Sequence, residues 1–172
     1  MTAAFLQTLN ADGPAADRRG QMDLYGWLIG SWDLDVSHFL ADGTTRQRKG
    51  EWHFGWVLEG RAIQDVWIVP PRGQRHGDAA ARVQSYGSTL RIYDPRDDSW
   101  QIQWTDPVTL NFCTMTGRRD GADIVQLGRN ALGEDIRWRF LQITPDSFLW
   151  RGETAAAGGW RLDSEFTAIR RT

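Results

Sequence analysis

A chain of 172 residues with a hydrophobic fraction of 41% and a charged fraction of 24% suits one globular domain that buries its core without disulfides or metal staples. Twenty Lys and Arg against 22 Asp and Glu leave a formal charge of −2, which gives no electrostatic footprint for nucleic acid or an anionic membrane; a small molecule or a protein is the expected partner. The single cysteine, Cys113, excludes an internal disulfide, and 10 tryptophans imply an aromatic-lined cavity or a core built from indoles.

Residues 1–21 read as a flexible N-terminal segment: an apolar start, Ala3-Ala4-Phe5-Leu6 with Leu9, then a polar connector from Asn10 to Gln21 containing Asp12-Gly13-Pro14. The start lacks the charged head and apolar run of a signal peptide, and no stretch approaches the roughly 20 apolar residues of a membrane span, so a cytoplasmic protein is expected. Residues 22–172 read as one domain. Met22, Tyr25, Leu28 and Ile29 recur at helical spacing and predict a short helix over 22–28, ended by Gly30.

From residue 31 the period changes to two. Trp32, Leu34, Val36 and His38 share one face of a first strand, and Asp42-Gly43 supplies the hairpin turn. The next strand, Arg46 to Leu58, sets Trp52, Phe54, Trp56 and Leu58 against Glu51, His53 and Gly55; its basic start, Arg46-Gln47-Arg48-Lys49, reads as a solvated face. Arg61 to Val69 is a strand in which neither Ala62, Gln64, Val66, Ile68 nor Ile63, Asp65, Trp67, Val69 is decisively the inner face, and Pro70-Pro71 stops it. Residues 70–81 form a polar loop, either a portal or a solvated excursion. Strands resume at Val83–Tyr93, turned by Asp94-Pro95, then Ser99–Thr105, Val108–Gly117, Ile124–Leu127, Ile136–Phe140, Phe148–Glu153 and Trp160–Ile169. About ten short strands joined by hairpins, with no helix long enough for a crossover, predict an all-β, antiparallel up-and-down barrel of about 8–10 strands with a short N-terminal helix.

Gly30-Ser31-Trp32, opening the first strand after a short helix, resembles the Gly-x-Trp signature of the calycins, the lipocalin and fatty-acid-binding superfamily. Leu58-Glu59-Gly60-Arg61 and Tyr93-Asp94-Pro95 followed by Trp100 and Trp104 resemble a bacterial lipocalin-like family of unknown function. The resemblance implies a structural role for Gly30 and Trp32, with the tryptophan packed at the closed end under an arginine of the final strand, for which Arg161, Arg170 and Arg171 are similar in position. It implies no catalytic residues.

Parity then gives a lumen. If Trp32 points inward, so do Leu34, Val36 and His38, with Trp52, Phe54, Trp56, Trp100, Trp104, Trp138, Phe140, Trp160 and Phe166 from the other aromatic faces. Small-molecule sites have this form, mostly apolar with few polar points. His38 is the leading candidate for proton transfer and Tyr86 the second, while Gln64, Asn111 and Ser164 are candidate hydrogen-bonding groups. His53 faces outward unless the register slips by one, when it enters with Glu51. Three scattered histidines and one cysteine show no metal-ligand spacing, and no cofactor is expected; a haem held by His38 or His53 is the alternative. Three functions follow: a barrel binding a hydrophobic or aromatic small molecule, a cofactor-independent cyclase, isomerase or lyase acting in the same lumen, or a filled structural barrel. A homodimer is the default assembly.

Overall fold

The computed structural model describes residues 3–75 and 84–172. It begins with α1 (Ala3–Leu9), β1 (Asn10–Ala11), a 3-10 turn (Ala16–Arg18) and α2 (Arg19–Gly26). Ten strands follow: β2 (Gly30–Phe39), β3 (Thr45–Val57), β4 (Ala62–Val69), β5 (Ser85–Asp94), β6 (Ser99–Asp106), β7 (Asn111–Asp120), β8 (Asp123–Arg129), β9 (Asp135–Leu141), β10 (Ser147–Ala156) and β11 (Gly159–Arg170). Each is antiparallel to its sequence neighbours, and β11 returns to β2 with Ser164 opposite His38 and Arg170 opposite Trp32. The ten strands therefore close into an up-and-down barrel, leaving no pair of bare edges.

The alternating pattern produces these strands because it leaves one face to bury at every second residue. On β2, Trp32, Leu34 and Val36 are buried while Asp33 and Asp35 are exposed. On β4 the inner face is Ile63, Asp65, Trp67 and Val69, since Trp67 stands opposite Trp52 and Asp65 opposite Phe54. The charge on that face is matched by an ion pair between Asp65 and Arg91 of β5, both at most 1% exposed, and Asp65 also accepts the Thr89 amide at 3.1 Å. Arg91 in turn lies 5.4 Å from the ring centre of Tyr25 and 5.5 Å from that of Phe54.

One end of the barrel is plugged. Met22, Tyr25 and Leu28 of the helical segment are fully buried with Trp32. Tyr25 meets Trp100 edge-on at 4.9 Å, and its hydroxyl accepts a hydrogen bond from Gln126 Nε2 at 2.9 Å. Trp27 sits edge-on to Phe148 at 5.2 Å, and the Trp32 indole N–H donates to the Leu28 carbonyl at 2.8 Å. Gly30, at φ +121°, turns the chain from this plug into β2.

The N-terminal residues differ from the expected connector. The helix starts at Arg19 rather than at residue 22, and residues 9–17 are tied to the barrel's closed end. The reason lies in β3, whose 13 residues outrun β2: the last β2 pairing is Gly30 with Phe54, so β1 completes the ladder at Trp56 and Val57. Leu58 N–H donates to the Leu9 carbonyl and Ala15 N–H to the Gly60 carbonyl, both at 3.0 Å. Of the expected loop over 70–81, residues 70–75 carry a 3-10 turn (Arg72–Gln74), and His76, Gly77 and Asp78 lie outside the described residues. Among the described residues no helix is long and apolar enough to cross a membrane.

Candidate ligand-binding site

Above the plug the barrel is hollow. A cavity of about 740 Å³ opens at the end bounded by the β2–β3, β6–β7 and β8–β9 turns, which contribute Leu40, Leu110 and Leu132 to its lip. That volume lies within the roughly 300–1,000 Å³ typical of small-molecule sites.

Its wall is a closed belt of five rings from five strands. Trp150 stacks on Phe166 (4.3 Å, 12° between planes), Phe166 on Trp67 (5.9 Å), Trp67 meets Trp104 edge-on (5.8 Å), Trp104 meets Trp138 (6.0 Å), and Trp138 returns to Trp150 (5.3 Å). Trp52 joins from β3, edge-on to Phe166 at 5.5 Å. Two indoles lie flat because the wall beneath them is glycine: a Cβ at Gly87 would overlap the Trp104 six-membered ring, and one at Gly152 would come within 2.5 Å of Trp150. The barrel keeps its hollow by folding large side chains against absent ones. The indole N–H groups of Trp52, Trp67 and Trp150 are buried and have no hydrogen-bond partner.

The polar points are few. His38 Nδ1 and Ser164 Oγ are 2.9 Å apart across the β2–β11 pairing. Burial first, then the charges of Arg48 and Arg46, hold the His38 proton affinity below the ordinary histidine value, so the imidazole is neutral at neutral pH. Arg46 and Arg48 share the inward parity of Trp52 and stand at the mouth. Asp106 also lines the cavity, but it accepts from Ser85 Oγ and from the Val108 amide at 2.9 Å, closing the β6–β7 turn. Cys113 lies in the wall, its thiol pushed up to about 12 by burial and so unreactive as a nucleophile.

The sequence-derived site residues divide by depth. His38, Trp52, Trp104, Trp138 and Asn111 line the cavity. Phe54, Trp100 and Phe140 have the inward parity but lie below the cavity in the packed end, around Tyr25 and Trp27, and Trp56 packs over Gly26. Gln64 and Tyr86 are corrected to the outer face: Gln64 bonds Ser88 at 3.0 Å, and Tyr86 is 38% exposed beneath the Arg75 guanidinium at 5.2 Å. Trp160 also leaves the lumen, because a bulge opposite Gly152 and Glu153 inserts Asp163 into β11 and flips everything before it; Trp160 stacks outside on Arg137 at 4.6 Å. Arg161 sits beyond that bulge, at the open end of β11 and bonded to Asp163 at 2.7 Å, far along the strand from Trp32. Arg170 is the residue over Trp32, at 4.1 Å, and it donates to the carbonyls of Trp27, Ile29 and Pro145 at 2.6, 2.9 and 2.7 Å.

His53 faces outward. Its Nδ1 is 2.9 Å from Ser31 Oγ and its Nε2 3.1 Å from Glu51, a serine–histidine–carboxylate row. The carboxylate is committed elsewhere: the Arg72 guanidinium and amide hold the Glu51 carboxyl down at about 2, with Arg171 at 3.5 Å. The row clasps the C-terminus and the β4–β5 connection to the barrel wall.

Missing from the sequence reading were Trp67 and Trp150, the glycines under the indoles, and the inward direction of Arg46 and Arg48. A Gly two residues from an inward position on a Trp-rich barrel is the usable signal, since it marks where a neighbouring ring can lie flat.

No protein-family model and no curated protein matches the chain. Among solved structures it is similar to the S-type phycobiliprotein lyase CPES from Guillardia theta, with 13% identity, a TM-score of 0.58, and 87% of this chain and 92% of that one covered. It is also similar to Rv2717c from M. tuberculosis, with 10% identity, a TM-score of 0.62, and 88% and 98% covered. At these identities the likeness is one of fold: the chain is a lipocalin-like barrel.

Proposed function

We propose that the barrel binds a planar hydrophobic or aromatic small molecule in its lumen. The observation that carries this reading is the hollow itself, about 740 Å³ kept open by two indoles laid over Gly87 and Gly152. A barrel selected only for stability fills its interior, because each unfilled volume forfeits dispersion contacts. Flat aromatic walls suit a flat guest, and the three unpartnered indole N–H groups give a guest with oxygen or nitrogen acceptors something to bond after small ring rotations. The likeness to a phycobiliprotein lyase supports a lumen that handles a pigment-like molecule.

The test is intrinsic fluorescence with a panel of planar probes, from pyrene derivatives to open-chain tetrapyrroles, on the wild-type chain and on Gly87→Val. Saturable quenching in the wild type, lost in a folded Gly87→Val, is the expected result. Indifference of the wild type to the whole panel sinks the reading.

A second reading, cofactor-independent cyclisation, isomerisation or lyase chemistry, is favoured by His38, a neutral imidazole fixed by Ser164 at the cavity wall. Under it, His38→Ala binds ligand as before and converts nothing. Tyr86 has no part in it, being on the outer face.

A further inference from the structure

We propose that the outer face of β5 to β8 is a self-association surface, on which a second copy of this chain packs sheet against sheet to form a two-fold dimer. The face lies on the side of the barrel, so the inference is independent of what occupies the lumen.

The exterior of the barrel is sorted by charge. From β9 through β11 to β2 and β3 the outward positions are ionised and matched among themselves, Arg137 and Arg139 with Glu153, Arg151 with Glu165, and Lys49 with Asp35. Register forms three cross-strand rows over β5, β6 and β7, the last reaching Leu127 of β8, and no outward position in them is charged. Ile92, Phe112 and Leu127 are 40%, 59% and 48% exposed there, with Leu90 between them. Gln101, Gln103, Thr105 and Thr114 are exposed as well, and neither they nor Thr116 spend a side-chain hydrogen bond on any described residue.

Exposed apolar anchors among uncharged polar groups, with charge displaced to the periphery, is the composition of an interface core. The polar groups favour a copy of the same face as the occupant. Amides and hydroxyls both donate and accept, so each can meet its own image across a two-fold axis, whereas an ionised patch repels its image. Association through this face also leaves the charged halves of both copies outermost, in solvent. The area suffices: with strands about 4.8 Å apart and outward positions about 7 Å apart along them, five strands from β4 to β8 present a patch of about 25 by 20 Å. Two such patches bury about 1,200 Å² in total, the lower end of the stable class, which makes the dimer reversible in the micromolar range.

Sedimentation equilibrium of the full chain is the experiment. Across about 1–500 μM, where an interface of this size equilibrates, the mass is expected to climb from 19.6 kDa towards twice that. Gln101→Lys/Gln103→Lys sets like charges against their own images and should raise the dissociation constant at least about tenfold. Leu127→Gln, which removes an apolar anchor and adds no charge, should raise it by a smaller factor, and Thr167→Lys on the charged half should leave it unchanged. All four positions face solvent, so the variants keep the barrel, as far-ultraviolet circular dichroism would verify. A wild type that stays at the monomer mass throughout overturns the proposal. So does a dimer that the double lysine variant leaves intact or that Thr167→Lys dissolves.

Discussion

Arg170 joins a cation–π contact to three charge-assisted hydrogen bonds, and all three acceptors are backbone carbonyls of segments that close the barrel's floor. Arg170→Met leaves those carbonyls unmatched and is expected to cost on the order of 2–4 kcal/mol in urea unfolding. Arg170→Lys recovers only a fraction, because an ammonium cannot reach three carbonyls in fork geometry. Glu51 gives the pH dependence. Its carboxyl is held at about 2 against an ordinary 4.5, so the unfolded chain takes up this proton more readily than the folded one. The stabilisation is therefore complete above pH 4.5 and is lost as pH falls from there towards 2. Counting screening at the exposed guanidiniums, it amounts to about 1–3 kcal/mol. Glu51→Gln should flatten that limb of a stability–pH profile; an unchanged acid limb would rule the clasp out as its source. Parity places Glu51 and His53 on one face but leaves open whether that face points in or out, since a one-residue slip inverts it. The guanidiniums that neutralise Glu51 were not legible, since Arg72 and Arg171 arrive from other segments.

The strands show what periodicity carries and what it omits. Alternation identifies the inward face of β2, β3, β6 and β9 because one buried side imposes period two on each. It contains no height along the barrel, so Phe54, Trp100 and Phe140 looked equivalent to Trp52, Trp104 and Trp138. Only the position of α2 and Trp27 separates plug from lumen. Parity also fails across the β10–β11 bulge, which is why Trp160 misled, and on β4, where Asp65 disguised the inner face until Arg91 was seen to meet it. The glycine slots yield a prediction at this scale. Gly87→Ala pushes the Trp104 ring, which can swing into the empty lumen, so stability falls by only about 1 kcal/mol while ligand affinity drops steeply. At Gly128 the added Cβ meets the Thr114 carbonyl of the neighbouring backbone, which has nowhere to go. Gly128→Ala should therefore destabilise by several times as much, read from denaturant midpoints of the two variants; equal losses would contradict a yielding wall at Gly87.

At the scale of the whole molecule, the barrel divides into a packed floor and a hollow upper part, with the Asp65–Arg91 pair among the floor residues. Truncating one partner strands a buried charge: Asp65→Ala is expected to cost about 3–5 kcal/mol, whereas Asp65→Leu combined with Arg91→Met should recover most of it. A double-variant cycle in chemical denaturation decides, and a double variant as unstable as the sum of its singles would show that the pair has no mutual dependence. Closure of ten strands was legible from their number, their hairpin turns and the lack of a crossover helix. Hollowness was not, because the same tryptophans could have filled the volume, and their outcome depends on where glycines, on a neighbouring strand at Gly87 and on the same strand at Gly152, let them lie.

The five-ring belt has an optical consequence. Indoles held 5–6 Å apart at fixed angles share their excited states, so their electronic transitions couple. The circular dichroism of the folded chain should carry a paired positive and negative band in the indole region, and Trp104→Phe, which interrupts the belt at one point, should collapse it. A coloured guest seated in the same twisted ring would acquire handedness from its surroundings, so a pigment with no optical activity of its own would become visible by circular dichroism when it enters.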